Sequence, residues 1–139
     1  MIDWTLMKSP ETRATEALAE AKAQARTEIT TRISAARATM ITTLPGQQMI
    51  YMAKEAEAAR YIADPAPDLA TYPLLAAEIG ITAPDAWQLA QIWLAMADLW
   101  RQAAAGLEAL RLGTAAAVEA AGTVGEVEAA MAAVRGAFP

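Results

Sequence analysis

The chain has no cysteine and no histidine among its 139 residues. Without cysteine it cannot form a disulfide, a thiolate nucleophile, a zinc–thiolate site or an iron–sulfur cluster. Without histidine it lacks the commonest general base and the commonest metal ligand. Serine is also scarce, with Ser9 and Ser34 as its two occurrences. We therefore predict no catalytic residue, no metal site and no cofactor, and an enzyme is the least favoured class of function.

Long apolar runs and excess positive charge are missing as well. The longest uncharged apolar stretch, residues 86–97, is shorter than the roughly 20 residues that a membrane span requires. The opening segment, residues 1–10, lacks the basic start and apolar run of a signal peptide. The formal net charge is −5, whereas a nucleic-acid-binding surface needs positive charge to meet phosphates. We expect neither a membrane nor a nucleic acid as a partner.

Proline and glycine are absent between Pro10 and Pro45, which predicts one long helix from Pro10 to about Thr43. Ser9, Pro10 and Glu11 form a typical helix start, with a serine cap, a proline in the first turn and an acid near the helix dipole. Such a helix would be about 50 Å long.

Later breaks divide the rest of the chain into shorter helices. We predict a helix at 47–62, an extended connector at 68–73 and a short helix closed by Gly80. A further helix runs from the Thr82–Asp85 start signal to at least Leu112, with a break or a kink at Gly113. A final pair follows at 114–121 and 124–135, with Thr123 as a cap. The predicted fold is all-α: a long N-terminal helix followed by a small Ala-rich helical bundle. The predicted domains are 1–44, an arm with an oligomerisation helix, and 45–139, the bundle.

One narrow apolar stripe follows the first helix at steps of three and four residues: Leu18, Ala21, Ala25, Ile29, Ile33, Ala36 and Met40. This spacing is typical of a coiled-coil seam between chains. The alternative is a helix lying across the core of its own chain. We favour the seam, because the helix would be longer than so small a domain is wide.

Residues 86–100 are apolar on almost every side of a helix, which predicts burial on almost every side. We favour a partner interface over the central helix of a monomeric bundle, since Ala-rich neighbours cover little area and Trp and Met are common at interfaces. The apolar arm around Trp4 either folds back onto the bundle or binds a neighbour. The predicted interface residues are Trp4, Leu18, Ala25, Ile29, Ile33, Met40, Trp87, Trp93, Met96 and Trp100.

Residues 47–110 contain two motifs that resemble a known group of proteins. A Lys-Glu-Ala-Glu-Ala run at 54–58 is followed by Tyr61 and Asp64, and a Thr-Tyr-Pro-Leu-Leu turn lies at 71–75. This segment resembles small tail-fibre-associated and tail-assembly proteins of tailed phages and of phage-derived particles such as gene transfer agents. It departs from them at Ile79, where their usual arginine is missing before the closing glycine.

The resemblance implies a component of a virion or phage-like particle, present in the cytoplasm during assembly. The expected function is that of a non-enzymatic structural virion protein: an oligomeric helical adaptor or base for a spike or fibre. An assembly chaperone for tail or fibre proteins, absent from the mature particle, is the alternative. The expected partners are a second copy of the chain and other particle proteins, from the fibre, spike, tail or capsid.

Overall fold

The computed structural model describes residues 1–40 and 46–138. Of these residues 80% are helical, and none lies in a β-strand, although an isolated bridge joins Ile79 and Ala83. The predicted all-α fold, with a long N-terminal helix followed by a bundle-like arrangement, is confirmed. The α-helices are α1 (Pro10–Ala38), α2 (Gln47–Ala63), α3 (Pro73–Glu78), α4 (Ala86–Ala120) and α5 (Val124–Ala137).

Helix α1 begins as predicted, because the Ser9 hydroxyl accepts a hydrogen bond of 3.1 Å from the Thr12 N–H. That bond satisfies one of the donors that a helix start leaves without an internal partner. The helix ends at Ala38, and its predicted end at Thr43 lies outside the described residues.

The connection between α2 and α3 was predicted to be extended, but it contains a 3₁₀ turn. Asp68 accepts a hydrogen bond of 3.0 Å from the Ala70 N–H and caps a 3₁₀ turn at Leu69–Thr71. Aspartate competes well for such backbone donors, and a short turn satisfies groups that an extended chain would leave to water. The predicted closure after α3 is confirmed, since Gly80 adopts a φ of +84° that other residues avoid.

Helix α4 differs from its prediction at its start and at its middle. Its cap is Asp85, whose carboxylate accepts a 2.8 Å hydrogen bond from the Gln88 N–H, whereas Thr82 bonds the side chain of Glu78. The predicted break at Gly113 does not occur. A helical glycine costs only about 1 kcal/mol relative to alanine, and the buried neighbour Thr114 ties this part of the helix into a core.

The chain forms two compact units that divide it differently from the predicted domains. The terminal unit comprises Met1–Arg37 and Gly106–Pro139, and the central unit comprises Ala38–Ala105. The first helix therefore belongs with the C-terminal part of the chain, not to a separate N-terminal domain. Helix α4 contributes its first part to the central unit and its last part to the terminal unit.

The core of the terminal unit explains this division. Ala25, Ile29 and Ile33 of α1 belong to one buried cluster with residues of the last part of α4 and of α5, namely Leu107, Val118, Ala121, Val127, Met131 and Val134. The prediction that these three α1 residues form a seam between chains is therefore wrong. The same stripe is covered within the chain, because α5 and the end of α4 supply branched side chains of matching periodicity.

Ion pairs connect the helices around this core. Glu28 of α1 is 2.8 Å from the guanidinium of Arg135 in α5, and it also accepts a hydrogen bond from Arg32. These two guanidinium groups lower the pKa of Glu28 to about 2. Arg37 reaches Glu108 at 2.8 Å, and hydrogen bonds from Arg111 and Arg37 lower the pKa of that carboxyl to about 2.

Candidate protein-binding surface on helix α4

The central unit holds the first part of α4 by one side. Leu89 and Ala90 are fully buried, and Trp93 is nearly so, in a cluster with Ala58 of α2 and Leu75 of α3. These α4 positions recur at steps of one and three residues and therefore share one face of the helix. That inner face fixes the rotation of α4 about its own axis, and thereby which side chains point away from the core.

A buried carboxylate fixes α3 in this cluster. Glu57 of α2 is buried and accepts a 2.7 Å hydrogen bond from the Leu75 N–H, near the start of α3. Tyr72, before α3, offers no side-chain cap. Glu57 therefore supplies from a neighbouring helix the acceptor that an N-cap residue normally provides, at the positive end of the helix dipole.

Tyr72 contacts the end of α2 and the residue that follows it. Its buried ring meets the ring of Tyr61 edge to face, with centroids 5.3 Å apart. Its hydroxyl donates a 2.7 Å hydrogen bond to the Asp64 carboxylate. That bond lowers the pKa of Asp64 and raises the pKa of Tyr72. The arrangement holds the 3₁₀ turn and α3 against α2.

Lys54 completes the support of Trp93. Its ammonium lies 4.9 Å from the centroid of the Trp93 ring and 2.7 Å from the Glu78 carboxylate. A cation over an indole face is attracted by the ring quadrupole. Nearby, Arg101 of α4 pairs with Glu55 of α2. The core side of α4 is thus held by both packing and charge.

The side of α4 next to the inner face is also apolar, but from Ile92 to Trp100 it is open to solvent. Ile92, Met96, Leu99 and Trp100 are 37%, 59%, 66% and 48% exposed. They lie at i, i+4, i+7 and i+8 and form one stripe, which we name the outer face. Together they expose about 500 Å², at the upper end of what a monomeric protein usually leaves in one apolar patch.

Some of the predicted interface residues are exposed in the structure, and others are buried. Trp87, Met96 and Trp100 of α4 are exposed, as are Trp4 and Met40. Trp93 is buried in the core of the central unit, which corrects its prediction as an interface residue. Leu18 packs, partly buried, against the core of the terminal unit, where Ala25, Ile29 and Ile33 are internal.

The exposed residues do not all share a surface. Trp87 lies on another side of α4 from the outer face, because five residues separate it from Ile92. Ile92 and Leu99, in contrast, belong to the outer face; they lie within the predicted interface helix 86–100 but are not among the ten residues singled out for the interface. The signal that finds them is the step of four, three and one residues from Ile92 to Trp100.

In the described ranges, no three acidic side chains come together in a group that could hold a metal ion. Among the same residues, no helix has the length and apolar character of a membrane span.

No protein-family model, no curated protein and no solved structure matches this chain.

Proposed function

We propose that this chain is a non-enzymatic structural protein that binds other proteins through the outer face of α4. The observation that carries the proposal is that the apolar surface of α4 continues beyond the part that the rest of the chain covers. The inner face is covered by Ala58, Leu75 and their neighbours, whereas the outer face presents Ile92, Met96, Leu99 and Trp100 to solvent. Exposed apolar patches of this size commonly mark a binding site for a partner.

The composition of the outer face supports a protein as the partner. Trp and Met are enriched in the cores of protein–protein interfaces, and charged residues are depleted there. The outer face contains no charge; Asp98 and Arg101 lie nearby on α4, and Arg101 is paired with Glu55. A flat, uncharged stripe on a rigid helix suits another helix or an apolar segment.

The kind of assembly is proposed from the resemblance of residues 47–110 to tail-fibre-associated and tail-assembly proteins. We propose an oligomeric helical adaptor or base that holds a spike or fibre on a phage-like particle. The outer face lies within the segment that carries this resemblance. The partners would be a second copy of the chain and a particle protein.

The test compares purified particles from cells that make the chain and its phage-like particle. Mass spectrometry should find the wild-type chain in stoichiometric amounts in mature particles. The double variant Met96→Gln/Leu99→Gln should be depleted, because two polar amides replace apolar contact area. A matched control, Met49→Gln/Met52→Gln, replaces methionines of α2 that are even more exposed (76% and 73%), and this variant should be retained.

Two other results have distinct meanings. A wild-type chain that is bound to tail or fibre protein in assembly intermediates, yet absent from mature particles, would establish the assembly chaperone instead. A chain that is found in neither fraction, or face variants that incorporate as well as wild type, would contradict the proposal.

A further inference from the structure

A second apolar surface lies open at the other end of the chain. In the segment Met1–Met7, here called the arm, Ile2, Trp4, Leu6 and Met7 are between 60% and 79% exposed. The arm therefore does not fold back onto the described part of the chain, which was one of its two predicted placements. Beyond it, Lys8 is anchored to α1 by a 2.6 Å ion pair with Glu16.

The arm already has a defined conformation. The Asp3 carboxylate accepts hydrogen bonds from the Thr5 N–H at 3.0 Å and from the Thr5 hydroxyl at 2.6 Å. These bonds cap a 3₁₀ turn at Trp4–Leu6. The polar groups of the arm thus bond each other and leave its apolar side chains available. A preformed turn loses less conformational entropy on binding than a disordered peptide does.

We propose that the arm of one copy binds the outer face of α4 in a second copy, so that each chain donates one arm and accepts another. This inference rests on the proposed role of the outer face as a binding surface. Both surfaces are uncharged at their contacting residues, and each carries a tryptophan, Trp4 and Trp100, of the kind that anchors interfaces. The occupant of the outer face is then a segment of the same protein.

The available area favours arm exchange over direct pairing of two outer faces. Two outer faces alone would bury about 1,000 Å² in total, at the lower limit for a specific interface. The apolar side chains of the arm add roughly 600 Å² for each copy. Two arm-to-face contacts therefore bury about 2,000 Å², within the range of a stable dimer. If the exchange is reciprocal it closes a dimer; otherwise it continues into a ring or filament.

The test uses two full-length variants with complementary defects. The arm variant, Trp4→Ser/Leu6→Ser, keeps the outer face, and the face variant, Met96→Gln/Leu99→Gln, keeps the arm. Sedimentation velocity should show that wild type self-associates and that either variant alone does so at least about tenfold more weakly. An equimolar mixture should associate more strongly than either variant alone but more weakly than wild type, because one of the two contacts, the intact arm on the intact outer face, can still form.

The controls separate folding from association. All four substituted residues are exposed, so circular dichroism should be unchanged; if the face variant loses helix, Ile92→Gln/Trp100→Gln replaces it. Met49→Gln/Met52→Gln should associate as wild type does. A dissociated face variant beside a still-associated arm variant would overturn arm exchange and leave the proposed binding role of the outer face standing. A monomeric wild type, or a mixture that associates no more strongly than either variant alone, would also overturn the exchange, whereas incorporation into particles tests the proposed function separately.

Discussion

The terminal and central units are built from equally Ala-rich helices, but they differ in how many large apolar side chains they expose. Apart from the arm, the large apolar side chains that the terminal unit exposes among the described residues are Leu112 and Val124. The central unit exposes Met49 and Met52 on α2 and the whole outer face of α4. Alanine lets helices approach closely in both units, so the few large side chains decide which surface stays apolar. The exposed large apolar side chains therefore lie mainly in the central unit and the arm.

The two units also differ in where their charged and polar side chains form contacts. In the terminal unit, ion pairs between helices surround an aliphatic core: Arg26–Glu119, Arg37–Glu108 and Arg135–Glu28. The central unit also has ion pairs between helices, Lys54–Glu78 and Arg101–Glu55. In addition, Glu57 forms a hydrogen bond inside its core, and the Tyr72 hydroxyl bonds Asp64 where the core is partly exposed. In the terminal unit, charged groups therefore link the helices at the surface, whereas in the central unit polar groups also position α3 and α4.

The aromatic residues allow the two units to be followed separately. All three tyrosines and three of the four tryptophans lie in the central unit, and the remaining Trp4 lies in the arm. Trp93 is the buried tryptophan, so the change in tryptophan fluorescence on unfolding reports mainly on the central unit. Circular dichroism reports on the helices of both. The comparison of the two signals is the basis of the predictions that follow.

The largest expected effect comes from charges placed in the core of the terminal unit. Ile29→Glu/Ile33→Glu should unfold that unit, because a buried unpaired carboxylate costs several kcal/mol and both sites are almost completely buried. Circular dichroism should lose much of its helical signal, while the fluorescence of Trp93 stays native.

A matched control for this variant lies on the same helix. Thr30→Glu/Ser34→Glu adds the same charge with the same spacing at exposed positions of α1 and should keep full helicity. If Ile29→Glu/Ile33→Glu instead keeps its helix and only dissociates an oligomer, the α1 stripe is a seam between chains and the internal core is wrong.

In the central unit, the largest effect should come from Glu57. Glu57→Ala removes the acceptor of the Leu75 N–H and leaves that donor buried without a partner, at a cost of about 1–3 kcal/mol. Urea unfolding followed by tryptophan fluorescence should show this loss. Glu57→Gln keeps an amide oxygen in place and should lose less. Equal losses for both variants would show that the charge of Glu57, not its hydrogen bond, fixes α3.

How far the sequence predicts this fold depends on how local each signal is. The starts at Ser9 and Thr123 were predicted because each cap bonds a backbone N–H within three residues. The start of α4 was misplaced from Asp85 to Thr82, since both are good caps and only tertiary contacts choose between them. The break at Gly113 failed because packing in the terminal unit outweighs the small cost of a helical glycine.

The candidate site shows the same limit. The all-round apolar character of residues 86–100 predicts burial on almost every side, whereas within this chain α4 is buried on one side of that stretch. Periodicity places Trp93 and Met96 on the same side of α4, so it predicts one interface for both and cannot show where the cover by α2 and α3 ends. The packing of α2 and α3 buries Trp93 and leaves Met96 exposed. For the same reason, the sequence predicts the apolar stripe of α1 but not which residues cover it, because those residues are distant in sequence.

A smaller effect is expected from the tyrosine that fastens α3. Tyr72→Phe keeps the ring against Tyr61 but removes the hydrogen bond to Asp64. The midpoint of thermal unfolding measured by Trp93 fluorescence should fall by a few degrees. Asp64→Asn should give a similar loss, and the double variant should lose little more, since both changes remove one interaction. Fully additive losses would show that the two groups act independently.

The smallest effect concerns acid and the terminal unit. Because Arg135 and Arg32 lower the pKa of Glu28 from 4.5 to about 2, the folded state holds this carboxylate more tightly ionised than the unfolded chain does. Its contribution is complete above about pH 4.5 and is lost as the pH falls toward 2. Since Glu28 is partly exposed, the loss should be at most about 1 kcal/mol. Unfolding followed by circular dichroism across this range should show the decline, and Glu28→Gln should flatten it. An unchanged slope in that variant would assign the acid sensitivity to other carboxylates, Glu108 first, whose pKa Arg111 and Arg37 also lower to about 2.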